Sequence, residues 1–243
     1  MGQFSSIYQK LKFYYSINWI KTLYFNFKKF PFATAQKLPV YFYGSVKLKN
    51  ISGDIHIKAP LKSGMIGFGQ PYEIITRSKG IAEFSLEGVM IFNGHVQFGK
   101  DYLVHVAKNA TLTMGHMASL GHSGKIICYD KITFGDFARI GFESQLTDTT
   151  VHQMMDTNTK EKFPLTAPIH IGNYNYISNR VTILSNTITP DFCTIASNSL
   201  CTKDYSSIGE NILLGGIPAQ TLKFNISRDW DGEMHQMKKW LLV

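Results

Sequence analysis

Residues 171–206 read IGNYNY ISNRVT ILSNTI TPDFCT IASNSL CTKDYS when cut into sixes. Ile171, Ile177, Ile183, Thr189, Ile195 and Cys201 open the units, and Asn175, Val181, Thr187, Cys193, Ser199 and Tyr205 stand fifth. Second and fourth places collect Gly172, Ser178, Asn186, Ala196 and Asn198, residues that tolerate tight or left-handed backbone. A helical period of 3.6 would scatter these isoleucines around a cylinder, and strand alternation would not skip to six. A beat of six fits a triangular solenoid. Each hexad makes a short flat strand and a corner, and three hexads, about eighteen residues, make one coil of three stacked parallel sheets. A polar residue at an inward place breaks such a stack unless it is hydrogen-bonded along it. Thr189 and Asn175 are the two places where that must happen.

Outward from this stretch the rhythm continues upstream. Phe134, Ile140 and Leu146 open hexads with Ala138 and Ser144 fifth, and Met114, Leu120, Ile126 and Ile132 keep a spacing of six before the frame slips by two to Phe134. β-like runs at 46–57, 89–98 and 103–112 suggest earlier coils with insertions. The expected architecture is mainly β. A solenoid domain spans 46–223, interrupted by a loop at 152–168, with a basic aromatic segment at 1–45 and a helix at 224–243. In that tail Trp230, Met234, Met237, Trp240 and Leu241 recur at spacings of three or four, which predicts packing against the solenoid end or a neighbouring subunit.

The chain has 243 residues, 44% hydrophobic and 17% charged, a globular composition large enough for a full core. Its net charge of +8 is unevenly placed. Residues 1–50 hold Lys10, Lys12, Lys21, Lys28, Lys29, Lys37, Lys47 and Lys49 and no acid, so this opening fifth carries the whole excess. No helix-turn-helix or RNP-like pattern accompanies the charge, and the basic stretch has no arginine, which argues against nucleic acid. Between the lysines lie Phe13, Tyr14, Tyr15, Trp19, Ile20, Tyr24, Phe25, Phe27, Phe30 and Phe32. Such a mixture suits a membrane–water interface; equally, it would cap the end of the core. No stretch reaches the ~18 apolar residues that span a bilayer, and no signal-peptide core is present. The expected location is cytoplasmic, with peripheral attachment at the inner membrane face as the further reading of the basic start. Cys128, Cys193 and Cys201 have no metal-ligand spacing and read as buried, reduced thiols. Met1-Gly2 with Ser6, and the sequons at Asn50, Asn109 and Asn225, are motifs short enough to arise by chance.

Residues 169–223, with Cys-Thr-Lys-Asp at 201–204 and Gly-Gly-Ile-Pro-Ala at 215–219, resemble the terminal coils of hexapeptide-repeat acetyltransferases. The stretch ITFGDFARIGFESQLTDTTVH at 132–152 looks like the segment that carries that family's active-site histidine. The likeness is nearest to members that O-acetylate polysaccharide or lipopolysaccharide sugars. It implies a left-handed parallel β-helix, an exception to the right-handed crossover rule. It also implies a homotrimer, with acetyl-CoA as acyl donor in the groove between prisms.

His152 stands where the hexad rhythm breaks, at the exit corner of the loop. A rigid scaffold presenting a histidine at a loop base is a common arrangement for a reactive group, and an imidazole, which titrates near neutrality, can take the proton of an attacking sugar hydroxyl. Nothing suggests a covalent nucleophile: there is no Gly-x-Ser-x-Gly elbow, and Cys193 falls inward. The resemblance makes Asp148 the residue that orients the ring, with Asp156 in reserve; Thr150 stands where relatives carry a second acid. It carries the coenzyme contacts onto Ser178 and Asn179 beside Tyr176, then Ser197, Thr202, Lys203 and Lys223, with lysines meeting phosphates as point charges. No metal is expected. The alternative of a γ-carbonic-anhydrase-like zinc site would use His105, His116 and His122, whose spacings of eleven and six do not match that pattern. Acetylation of an amino sugar or nucleotide sugar, and a non-catalytic scaffold, are the other readings. The acceptor is expected to be a carbohydrate of a surface glycan or its precursor.

Overall fold

The first place of every hexad from Ile171 to Cys201 points inward and is buried. Each such residue lies directly over its equivalent one coil earlier. Met114, Phe134 and Ile171 form one column. Leu120, Ile140, Ile177 and Ile195 form a second, and Ile126, Leu146, Ile183 and Cys201 a third. The computed structural model that shows this describes residues 14–70 and 80–239, with side chains to 234. The Met1-Gly2 motif with Ser6, Lys10, Lys12, Phe13, Trp240 and Leu241 lie outside the described residues, as does the side chain of Met237.

Three faces enclose the columns. The first stacks β1 (Val40–Phe42), β4 (Ile66–Phe68), β7 (Val96–Phe98), β10 (Ser119–Leu120), β13 (Arg139–Ile140), β16 (Tyr176–Ile177), β18 (Thr194–Ile195), β20 (Ile212–Gly215) and β21 (Gln220–Phe224). The second stacks β2 (Val46–Asn50), β5 (Ala82–Leu86), β8 (Leu103–Val106), β11 (Lys125–Cys128), β14 (Gln145–Thr147), β17 (Thr182–Leu184) and β19 (Leu200–Cys201). The third holds β3 (Asp54–Ile57), β6 (Val89–Phe92), β9 (Thr111–Met114), β12 (Lys131–Phe134) and β15 (Ile169–Ile171). Neighbouring strands pair in parallel except β20 with β21, an antiparallel hairpin that closes the upper end of the first face. Three helices are used below: α1 (Trp19–Lys29), α2 (Phe32–Ala35) and α3 (Trp230–Lys239). Phe224 ends β21, and α3 starts six residues later.

The slip of two residues before Phe134 has a structural cause. β11 and β12 are four-residue strands that each send two side chains inward, Ile126 with Cys128 and Ile132 with Phe134, around the turn at Tyr129 and Asp130. The coil from Met114 to Phe134 is therefore twenty residues long, whereas the coil from Ile171 to Thr189 keeps eighteen. The two polar inward places satisfy each other. Thr189 Oγ1 donates to Asn175 Oδ1 at 2.7 Å and accepts from the Gly172 amide at 3.0 Å, while Asn175 Nδ2 donates to the carbonyls of Pro190 and Asn173.

Left-handed backbone recurs at the fourth place of the hexads and not at the second, at Met117, Ser123, Phe137, Glu143, Tyr174, Arg180, Asn186, Phe192 and Asn198. Most of these are not small residues, and left-handed backbone costs a non-glycine residue about 1–2 kcal/mol. The cost is offset at one corner by stacking. Phe137, Tyr174 and Phe192 form a ladder with ring centroids 4.9 Å apart and planes within 4°, the separation that parallel coils impose, and each such pair contributes about 0.5–1.5 kcal/mol. Beside it, at the third place, the amides of His116, Asp136 and Asn173 donate to Asp136, Asn173 and Asp191 in succession. Trp230 of α3 is buried edge-on against Phe137 and Tyr174, so the tail helix packs on the flank of its own solenoid. Trp230→Ala is expected to lower stability by roughly 3 kcal/mol, read as a drop in the urea unfolding midpoint.

Candidate active site

After β14 the chain leaves the second face and returns to the third at β15, an excursion of residues 148–168 that the sequence places at 152–168. Backbone bridges Thr149 to Thr166 and Met155 to Lys162 make it a narrow hairpin. Its stem carries His152. The His152 amide donates to the Thr150 carbonyl at 2.6 Å, and Thr150 Oγ1 donates to the carbonyls of His152 and Leu165. Thr150, the departure from the expected second acid, thus fixes the backbone of the histidine instead of its ring. Val151, just before it, sits at φ 62°, where a β-branched residue is an outlier; such strain concentrates at functional sites. The imidazole of His152 projects into solvent, and no side chain among the described residues bonds to it.

Asp148 is placed differently from its expected role. Its carboxylate is fully buried and accepts the amides of Tyr129 at 2.7 Å and Asp130 at 2.9 Å, one coil below. Both oxygens are thereby committed to the extra-residue turn between β11 and β12, and none reaches His152. Asp148 is an anchor where the loop departs. Asp156, the reserve, is engaged locally. It accepts from the Asn158 and Thr159 amides at the hairpin tip, and these bonds hold its carboxyl below the usual range.

A groove of about 290 Å³ opens on the outer side of the second face. Register partners Ser85, His105 and Ile127 form its floor, an ion pair between Lys49 and Glu83 closes one end, and Tyr129 and Val151 form the side from which the loop rises. The rings of His105 and Tyr129 lie 5.3 Å apart. Residue order alone pointed only to His105. Glu83, Ser85 and Tyr129 escaped notice because they face outward on coils whose beat is irregular.

Of the coenzyme set, the fold brings three residues together. Ser178 and Ser197 lie on adjacent coils with hydroxyl oxygens 2.7 Å apart, and both donate to Asn179 Oδ1, at 3.3 and 2.6 Å. The corner they form is tight: a Cβ on Gly141 would come within 2.6 Å of the Ser178 carbonyl. Thr202 and Lys203 follow β19 and are exposed, with the Lys203 ammonium 5.5 Å from the centre of the Tyr205 ring. Lys223 lies on β21, opposite Leu213, and is exposed. No hydrogen bond or ion pair among the described residues joins these three to the serine corner.

The histidines weighed for zinc do not converge. His105 lines the groove, His116 Nδ1 accepts from the His95 amide at 3.3 Å, and His122 stacks on Phe142 at 4.9 Å. Among the described residues, no three of His, Cys, Asp and Glu are grouped as a metal site. All three thiols are buried and free. Burial pushes those of Cys193 and Cys201 up to about 12 and raises that of Cys128 further, so none supplies a thiolate near neutrality.

Neither a protein-family model nor a curated protein sequence matches the chain. Solved structures do match. NeuO, a polySia-specific acetyltransferase, superposes with a TM-score of 0.53 at 16% identity, covering 81% of this chain and 97% of its own. The polysialic acid O-acetyltransferase OatWY gives 0.40 at 18%, covering 78% and 76%. A variant of AntD, an N-acyltransferase from Bacillus cereus, in complex with dTDP-4-amino-4,6-dideoxyglucose and coenzyme A, gives 0.47 at 12%, covering 83% and 88%. The stacked columns, the three parallel faces and the superposition on NeuO together establish the fold of this chain as a left-handed parallel β-helix of the hexapeptide-repeat kind.

Proposed function

We propose that the chain is an acetyl-CoA-dependent O-acetyltransferase acting on a sugar hydroxyl of a surface glycan or its precursor. The observation that carries this reading is the exposed imidazole of His152. It is held by a hydrogen-bonded, strained turn where the β-helix is interrupted, and the preceding residue, Val151, lines the Tyr129–His105 groove. The fold is shared with an acetyltransferase of polysialic acid, which supports a carbohydrate acceptor. In the proposed step His152 removes the hydroxyl proton as the sugar oxygen attacks the thioester carbonyl. The tetrahedral adduct collapses, the C–S bond breaks, and the leaving thiolate takes the proton back from the imidazolium. The products are an O-acetyl sugar and free CoA. High thiol pKa values at Cys193 and Cys201 support this direct transfer over an acyl-enzyme.

The corner of Ser178, Asn179 and Ser197 offers main-chain groups to the pantetheine amides, with Thr202 beside them in the assigned set. Lys203 and Lys223 are free to meet phosphates. The groove takes the acceptor ring against Tyr129, in a homotrimer whose neighbouring prism completes the donor site. An amino group in place of the hydroxyl would follow the same steps, as in N-acetylation of an amino sugar.

The test is thiol release from acetyl-CoA with hydroxyl and amino sugars, on free and polymeric glycans. His152→Ala should lower turnover by about 10²–10⁴ while the melting temperature stays unchanged; wild-type turnover removes the assignment, and release only with amino sugars moves the reading to N-acetylation. Tyr129→Ala is expected to raise the acceptor KM roughly three- to tenfold and to leave the KM for acetyl-CoA unaltered, as read from initial rates. Asp148→Ala unpairs two buried amides, each costing about 1–3 kcal/mol, so its main effect should be a fall in thermal stability.

A further inference from the structure

Helix α1 is inside out. Its buried side carries Thr22, Phe25 and Asn26, two of them polar. Their partner explains why. α1 lies along β1, the open edge of the first face, whose unpaired backbone groups need hydrogen bonds. Thr22 Oγ1 accepts from the Phe42 amide at 3.0 Å, and Asn26 both accepts from the Val40 amide at 3.2 Å and donates to its carbonyl at 2.7 Å. Phe25 completes the cap, packed against Phe42 and Phe84 at 5.0 and 5.7 Å.

The opposite side is apolar and, among the described residues, uncovered. Ile20, Leu23, Tyr24 and Phe27 recur at the spacing of one helical stripe and are 81, 43, 53 and 48% exposed. Phe32 of α2, 71% exposed, extends the stripe, its ring 6.0 Å from that of Phe27. Contiguous exposed apolar surface of this kind marks an interaction site. Lys21 and Lys28 flank the stripe on one side, Lys37 follows α2, and no carboxylate occurs anywhere in residues 1–50. Lys29 is spent differently, tucked onto the Ile51 and Gly53 carbonyls, where burial lowers its pKa.

We infer that this stripe, with its lysine rim, is a docking surface for an anionic lipid bilayer. Apolar side chains enter the headgroup–acyl boundary while the lysines meet lipid phosphates. Charge selects lipid over a second copy of the chain, since pairing two such ends would oppose two segments of like charge without one acid between them. No helix among the described residues is long and apolar enough to cross a membrane, and the geometry is that of a helix lying on the surface. The inference is independent of the acyl-transfer reading.

Flotation of the full chain with vesicles of phosphatidylcholine alone and of phosphatidylcholine mixed with phosphatidylglycerol tests it. Binding is expected with the anionic vesicles and should weaken as salt shortens the screening length. The double variant Ile20→Ser/Phe27→Ser should bind at least about tenfold less with an unchanged melting temperature, because both side chains are exposed. Lack of flotation with either vesicle, equal flotation with neutral vesicles, or undiminished flotation of the double variant overturns the proposal. So does a lower oligomeric state of that variant in vesicle-free solution, which would assign the stripe to a second copy.

Discussion

Parallel coils stacked about 4.8 Å apart oblige each turn of this prism to repeat the one beneath it. The inward columns are filled by buried apolar side chains, Met114, Phe134 and Ile171 in one of them, because each void forfeits contacts that a close-packed core relies on. The obligation extends to the corners. A Cβ on Gly172 would come within 2.5 Å of the Pro190 carbonyl, so that corner admits only glycine. Nine fourth places turn through left-handed backbone, bulky side chains among them, and the rings of Phe137, Tyr174 and Phe192 that occupy three of these are stacked by the same repeat that stacks the strands. Even the polar exceptions obey the rule, since Thr189 and Asn175 are paired within the core.

Such a scaffold leaves few places for chemistry. A side chain that projects from a face is held by the coils above and below; one that must approach a substrate freely has to come from an interruption. The excursion at 148–168 is that interruption, and its root is secured on both sides. Asp148 ties it to the coil below through two amides, and the Thr149–Thr166 bridge closes its stem. His152 follows at once on this rigid base, so the imidazole is exposed while its backbone is fixed. Within the same coils the cysteines are sealed in and protonated, so the exposed imidazole and the buried thiols are kept apart.

The columns were legible in the sequence because burial demands aliphatic side chains at a fixed interval, and Ile171, Ile177, Ile183 and Ile195 keep that interval without insertion. The slip before Phe134 was visible but not its meaning, since two extra turn residues look the same in a string whether they bulge outward or shift the frame. Asp148 shows what neither spacing nor resemblance reveals. The resemblance pairs it with His152, while its carboxylate accepts the amides of Tyr129 and Asp130, partners that no local spacing would nominate. The groove escaped for a related reason. Its floor is assembled from one outward residue per coil, at Ser85, His105 and Ile127, so its members are about twenty residues apart.

The N-terminal helix carries the same lesson to a different partner. Amphipathic helices are read on the assumption that the apolar side faces the protein. That assumption holds when the partner is a packed core. At the end of a β-helix the partner is a strand edge, whose exposed amides and carbonyls are better met by Thr22 and Asn26 than by leucine. The polar side is therefore the buried one, and the apolar stripe from Ile20 to Phe27 stays exposed among the described residues. Composition placed aromatic and lysine residues together at this end; only the hydrogen bonds to β1 reveal which of them the fold has already used.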